Sequence, residues 1–218
     1  MARNSVDEPA LSRRAQLKEQ HQELSRALFL DAAEVVFGGK GFHDATLKEV
    51  AELAEFSVGS IYSFFGGKED LFAQMFVRRG DEFVPRMREI LSAEGVSPLD
   101  QLTQLVDFQV GYFREHRHFS RVYLHHASAA LDFDDPKLGA LLNEKTADAL
   151  ALEADLFQRG QTDGVFRPGD PAVLARLFSG IVSSFQAVDP AVVSDDDDPV
   201  ETFGLDELQA LIRSAFTI

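Results

Sequence analysis

Cysteine is absent from all 218 residues. That excludes disulfides, thiolate metal ligands and a cysteine nucleophile, and it fits a reducing compartment. No stretch approaches the ~20 apolar residues that a membrane span needs. The opening residues, MARNSVDEPALSRRAQLKEQ, are polar throughout, so no secretory signal is expected there. A soluble, cytoplasmic protein without membrane contact is the expectation. Positive charge is scarce: 21 Lys and Arg stand against 36 Asp and Glu, a net of −15. Taken over the whole chain, that balance opposes a polyanionic partner. No nucleophile elbow, phosphate loop, dinucleotide fingerprint or paired metal ligand is present. Neither an enzyme nor a cofactor is therefore expected.

The acidity is not evenly spread. Residues 80–218 hold 11 basic and 24 acidic residues, a net of −13, while residues 1–79 hold 10 and 12, a net of −2. A polyanion would have to meet the N-terminal third, through Arg13, Arg14, Lys18, Lys48 and Lys68.

Apolar residues make up 45% of the chain and phenylalanine supplies 19 of them, enough for a sizeable core. Their spacing is helical. Leu24, Leu28, Ala32, Val35 and Val36 recur at intervals of one face, and GGKG at 38–41 ends that run. Thr46 and Glu49 form a capping-box pair opening a second helix over Leu47, Val50, Ala51 and Ala54. Ser57 opens a third piece, VGSIYSFF, and GGKEDL starts a fourth helix that runs through Pro85 to about Leu91. Further helices are expected near 98–115, 118–131, 136–160, 170–187 and 205–217, about nine in all, with no alternating strand pattern. The expected fold is all-α. Residues 1–19 read as a flexible arm, 20–68 as a small three-helix unit, and 69–218 as a larger helical unit.

The third piece is odd for a core helix. It places Ile61 and Phe65 on one face and small or hydroxyl-bearing residues on the other. Two short helices joined by a tight turn form a helix-turn-helix, whose second helix fits the major groove of DNA. Small residues allow close approach to base edges, and hydroxyls bond to bases or phosphates. The shape alone leaves open a helical interaction protein without specific DNA binding.

The order of residues goes further. LDAAEVVFGGKGFHDATLKEVAELAEFSVGSIYSFFGGKEDLFAQMF resembles the N-terminal domain of TetR-type transcriptional repressors. The matching features are T-x-x-x-V-A in the second helix, S-x-G-S-I-Y-x-x-F in the recognition helix and K-E-D-L after it, over roughly residues 22–78. The resemblance implies that Thr46 caps the second helix and touches a phosphate, with Lys48 on the backbone nearby. Ser57 opens the recognition helix; Val58, Gly59, Ser60 and Ser63 face the groove, and Tyr62 and Lys68 clamp phosphates. Two positions depart from the family. Glu55 stands where a turn glycine is usual, and Phe64 stands where His or Tyr is frequent, suggesting an apolar contact to a thymine methyl. The partners implied are operator DNA, a second copy of the chain and a small effector. Repression is the expected mode, with activation by the same architecture as the alternative.

For the homodimer, the apolar stripes Leu174, Leu177, Phe178, Ile181, Val182, Phe185 and Leu208, Leu211, Ile212 suggest a four-helix interface. For the effector, Phe108, Tyr112, Phe113, Tyr123 and Phe157, with His125 and His126 as polar groups, suggest an apolar or aromatic ligand. No metal is expected. His118 and His125 lie ~10 Å apart along a helix, and the four aspartates at 195–198 lack the alternate spacing of a calcium loop.

Overall fold

A computed structural model describes residues 12–128, 136–194 and 204–218, with side chains for all of these except 126–128 and 136–142. The start of the expected arm, the four aspartates at 195–198 and the side chain of His126 lie outside the described residues. Ten helices are described: α1 (Arg13–Asp44), α2 (Leu47–Leu53), α3 (Val58–Ile61), α4 (Lys68–Leu91), α5 (Pro98–Glu115), α6 (Arg117–Ser128), α7 (Pro136–Thr162), α8 (Pro171–Gln186), α9 (Pro190–Val193) and α10 (Leu205–Phe216). Among the described residues the one extended pairing is an isolated bridge between Phe166 and Thr217.

Local chemistry explains most boundaries. Ser97 and Asp170 each cap a helix with Pro in its first turn, and Thr46 with Glu49 completes the expected capping box. Several boundaries differ from expectation. The GGKG stretch does not end the first helix, which runs on to Asp44 with a kink at Gly41, φ +77°. The first helix begins at Arg13, capped by Ser12, so the arm expected through residue 19 is helical over its last residues. The short α9 was not foreseen. It is capped by Asp189 and tied down from a distance: Arg114 pairs with Asp189 at 2.7 Å, and Arg121 donates to the Val192 and Ser194 carbonyls.

Two apolar cores lie along the chain. The first gathers Phe29, Ala33, Phe37, Val50, Ile61, Phe65, Leu71, Phe72 and Met75, and takes Phe119 and Val122 from α6. The second gathers Met87, Leu102, Leu105, Leu156, Phe157, Phe178, Val182, Ile212 and Phe216. Each fully buried large side chain stabilises the fold by about 1.5–3 kcal/mol. Helix α4 belongs to both cores, with Leu71–Phe76 in one and Met87–Leu91 in the other. The division expected at 68/69 therefore falls at the foot of a helix that acts as a strut. Gly38 sets how closely α1 approaches α6, because a Cβ there would lie 2.6 Å from the His118 carbonyl oxygen.

Candidate DNA interface and effector region

The hairpin is built as its caps dictate. Thr46 Oγ1 accepts from the Glu49 amide at 3.3 Å and donates to Glu49 Oε2 at 2.8 Å, while the Thr46 amide donates to the same carboxylate at 2.9 Å. Lys40 pairs with Glu49 as well. Its hydrogen bond, followed by those from Thr46, pulls the Glu49 carboxyl down to about 2. Both donors of Thr46 are thus engaged, and a phosphate at this position competes with Glu49. Lys48 is exposed and held only loosely by Glu52, at 3.6 Å.

Helix α2 ends in a Schellman motif. The Glu55 amide donates to the Glu52 carbonyl and the Phe56 amide to the Ala51 carbonyl. Glu55 sits at the left-handed position with φ +62°, the one non-glycine with positive φ among the described residues. A side chain there costs about 1–2 kcal/mol, partly offset because glycine would lose more conformational entropy on folding than glutamate does. Glu55→Gly is expected to raise unfolding stability by about 0.5–1 kcal/mol, measured by urea denaturation. An unchanged or lower midpoint would show that the turn is not strained.

The third helix is shorter than expected. Regular α geometry spans Val58–Ile61, and hydrogen-bonded turns carry the chain on through Ser63 and Phe64 to Phe65. Ser57 caps it, and its hydroxyl also lies 2.8 Å from the Ser60 hydroxyl. Ile61 and Phe65 are buried. Opposite them, Gly59 is exposed with the Ser57 hydroxyl 3.8 Å from a Cβ built there, Ser63 is exposed and Tyr62 is 60% exposed. Two assigned residues turn inward instead. Val58 packs partly on the first core, and Phe64 places its ring 5.6 Å from Phe29, so the apolar contact expected of Phe64 is made largely with its own chain. Lys68 donates to the His43 carbonyl at 2.9 Å and lies over the Phe42 ring. Beside it, Asp70 accepts from the Gly66 amide at 2.8 Å, taking up a donor that would otherwise be open to a phosphate. One supporting residue carried no sequence signal: Arg26, stacked on Phe65 and bonded to Gln74, braces the turn after the third helix from far along the chain.

The residues expected to line one effector pocket do not form one group. Phe108, Tyr112, Phe113 and Tyr123 join Phe83 in a ring cluster, with centroids 5.0–6.5 Å apart. The Tyr112 hydroxyl is turned away, donating to the Arg79 carbonyl and to Glu82. Burial, and then the Glu82 charge, hold its pKa above the ordinary phenol value. Phe157 lies elsewhere, fully buried against Phe166, Phe178 and Phe216. His125 is on the surface.

The expected dimer stripe also splits. Leu174, Phe178, Val182, Phe185, Leu208 and Ile212 are buried in their own chain, because α8 and α10 must first pack on α5 and α7. They are not available to a partner. Leu177 and Leu211 are exposed, and Val173 joins them.

Comparison with known proteins gives one family. Residues 29–75 match the model of the bacterial regulatory proteins of the tetR family. The HTH-type transcriptional regulator YfiR of Bacillus subtilis is 28% identical over 169 residues, covering 73% of this chain and 77% of that protein. The repressor KstR2 of Mycolicibacterium smegmatis is 29% identical over 140 residues, covering 64% and 66%. Among solved structures, KstR2 of Mycobacterium tuberculosis superposes with a TM-score of 0.71 at 19% identity, over 88% of this chain and 95% of that one. The Bacillus subtilis regulator FadR, solved with stearoyl-CoA, gives 0.69 at 18%, over 86% and 95%. At these identities the structural likeness speaks for the fold. Among the described residues no helix is long and apolar enough to cross a membrane.

Proposed function

We propose that this chain, a DNA-binding transcriptional regulator of the TetR family, is a cytoplasmic homodimeric repressor that releases its operator when an apolar effector binds the C-terminal helices. The observation that carries the DNA reading is the split face of the third helix. Ile61 and Phe65 fix its inner side, leaving Gly59, Tyr62 and Ser63 outward at the end of a capped hairpin. In the dimer, two such helices must lie about one DNA turn apart, ~34–36 Å, or a multiple of it. An effector with higher affinity for another spacing shifts the population by no more than that difference in affinity. An apolar effector is supported by the Phe83, Phe108, Phe113 and Tyr123 cluster between α4, α5 and α6. It is also supported by the solved relatives, one holding stearoyl-CoA and one described as a ketosteroid regulator.

Selection of bound fragments from the source genome tests the reading, with recovery of no preferred fragment as the contrary result. On a recovered operator, Tyr62→Phe and Lys68→Ala are expected to weaken binding to all sequences alike, because they remove phosphate contacts. Ser63→Ala should instead change base preference, by about 1–3 kcal/mol. Ser60→Ala should do so less, since its hydroxyl is shared with Ser57. Electrophoretic titration against operator and shuffled DNA separates the two classes. Wild-type behaviour in all four variants would show that this helix does not read DNA.

A further inference from the structure

The second core contains a polar knot. Glu153 on α7 is only 1% exposed. Gln109 of α5 donates to its Oε1 at 2.9 Å, and the Ser179 hydroxyl of α8 bonds to its Oε2. Gln186, also buried, donates to the Gln109 carbonyl at 3.2 Å and closes the group on the α8 side. From α6, Tyr123 brings a phenol near enough for the Glu153 charge, after burial, to raise its pKa. Three helices, α5, α6 and α8, thus bring polar groups around one carboxyl of α7 inside an otherwise apolar core.

The partners described for that carboxyl are all uncharged. Burial raises its pKa to about 7, against the opposing pull of the bonds from Ser179 and Gln109. A buried carboxyl without a cation is a costly core residue, and an apolar residue of similar volume would stabilise the fold more. Two neutral hydrogen bonds leave lone pairs on both oxygens, the arrangement that an ammonium group completes. The surroundings favour the same charge, because residues 80–218 carry 11 basic and 24 acidic residues, a net of −13. An anion approaching this half is repelled and a cation attracted.

We propose that Glu153, oriented by Gln109 and Ser179, is the anchor for a protonated amine on an otherwise apolar effector, whose body lies toward the Phe113 and Tyr123 rings. The assignment rests on the reading of the chain as an effector-responsive regulator and adds the chemistry of the effector's polar end. It separates this protein from its relative solved with stearoyl-CoA, whose ligand is anionic.

The test compares 4-phenylbutylamine with its isosteres 4-phenylbutanol and 4-phenylbutanoate by thermal shift, on full-length wild type and Glu153→Gln, in 0.5 M salt to suppress surface attraction. On wild type the amine should bind at least ten-fold more tightly than the alcohol, and the carboxylate not at all. Glu153→Gln keeps the size and hydrogen-bonding capacity of the residue and should bring amine and alcohol to within about two-fold. Equal amine affinity in the two proteins, or an amine no better than the alcohol on wild type, would overturn the assignment; so would equal stabilisation of both proteins by stearoyl-CoA with no response to the amine. The wild-type comparison decides even if the variant does not fold. Operator binding without compound is measured alongside. Its absence in wild type would count against the regulator reading, whereas intact operator binding with no amine preference would count against the anchor alone.

Discussion

Leu177→Glu is expected to convert the protein to folded monomers and to lower operator affinity at least ~100-fold, through loss of the second half-site. Leu177 is 56% exposed on the outer side of α8, with Val173 at 49% beside it and Leu211 at 48% on the adjacent α10. Gly180 adds a flat position between the larger side chains, since nothing lies within 4 Å of a Cβ built there. An apolar surface of this kind on paired helices suits a two-fold contact, in which the same residues meet their own copies. A glutamate there enters the contact twice and faces its symmetry mate, so the cost of burying unpaired charge is doubled. The expected rise in dimer dissociation constant is about 10³-fold, roughly 4 kcal/mol. Phe178→Glu makes an instructive contrast. Phe178 is fully buried against Phe157 and Phe216, so that variant should fail to fold rather than dissociate. Light scattering with circular dichroism distinguishes the two outcomes. A folded Leu177→Glu dimer of wild-type affinity would place the interface on another face.

That contrast shows where sequence reading succeeds and where it stops. The hairpin was legible because its signals are local. Thr46 with Glu49 and Ser57 with Ser60 each bond across three residues, and the alternation of Ile61 and Phe65 with small residues fixes which side is buried. The turn at Glu55 was legible too, as a departure from the glycine usual in the family that the chain resembles, though its left-handed backbone came only with the structure. The apolar stripe of α8 was recognisable as a stripe, but periodicity does not say how wide an arc one chain can cover. Helices α5 and α7 take Leu174, Phe178 and Val182, and leave Val173 and Leu177. The aromatic residues mislead for the same reason. Phe157 and Phe113 look alike in sequence, yet one completes a closed core with Phe166 and Phe216, and the other meets Phe83 and Tyr123. Nothing local marks Glu153 as buried, because its partners come from positions 109 and 179.

Glu34→Ala is expected to lower unfolding stability by about 3–5 kcal/mol, the cost of stripping one partner from a buried ion pair. Glu34 lies in the first core's helix α1 and is 6% exposed. The Arg79 fork grips it with Nε on one oxygen and Nη2 on the other, both at 2.8 Å, and Arg78 bonds to the same carboxylate. Burial works against the Arg79 charge. The bonds and charge of Glu34, then of Glu82, outweigh it and hold the guanidinium pKa above its ordinary value. Glu82 carries the network on to the Tyr112 hydroxyl at 3.1 Å. One carboxylate therefore fastens α1 to α4, while its neighbours fasten α4 to α5, across the junction between the two cores. Removing it strands two guanidinium groups, with Asp31 and Glu82 as only partial substitutes. Because α4 is the strut between the hairpin and the C-terminal helices, on the proposed function the same variant should weaken operator binding and blunt its response to effector. A double-mutant cycle with Arg79→Met separates the pair from its surroundings: the double variant should recover part of the loss, since it no longer leaves Arg79 unpaired. Urea unfolding of the four proteins gives the coupling. A cost below about 1 kcal/mol for Glu34→Ala, the range of exposed surface pairs, would show that the junction does not depend on this carboxylate.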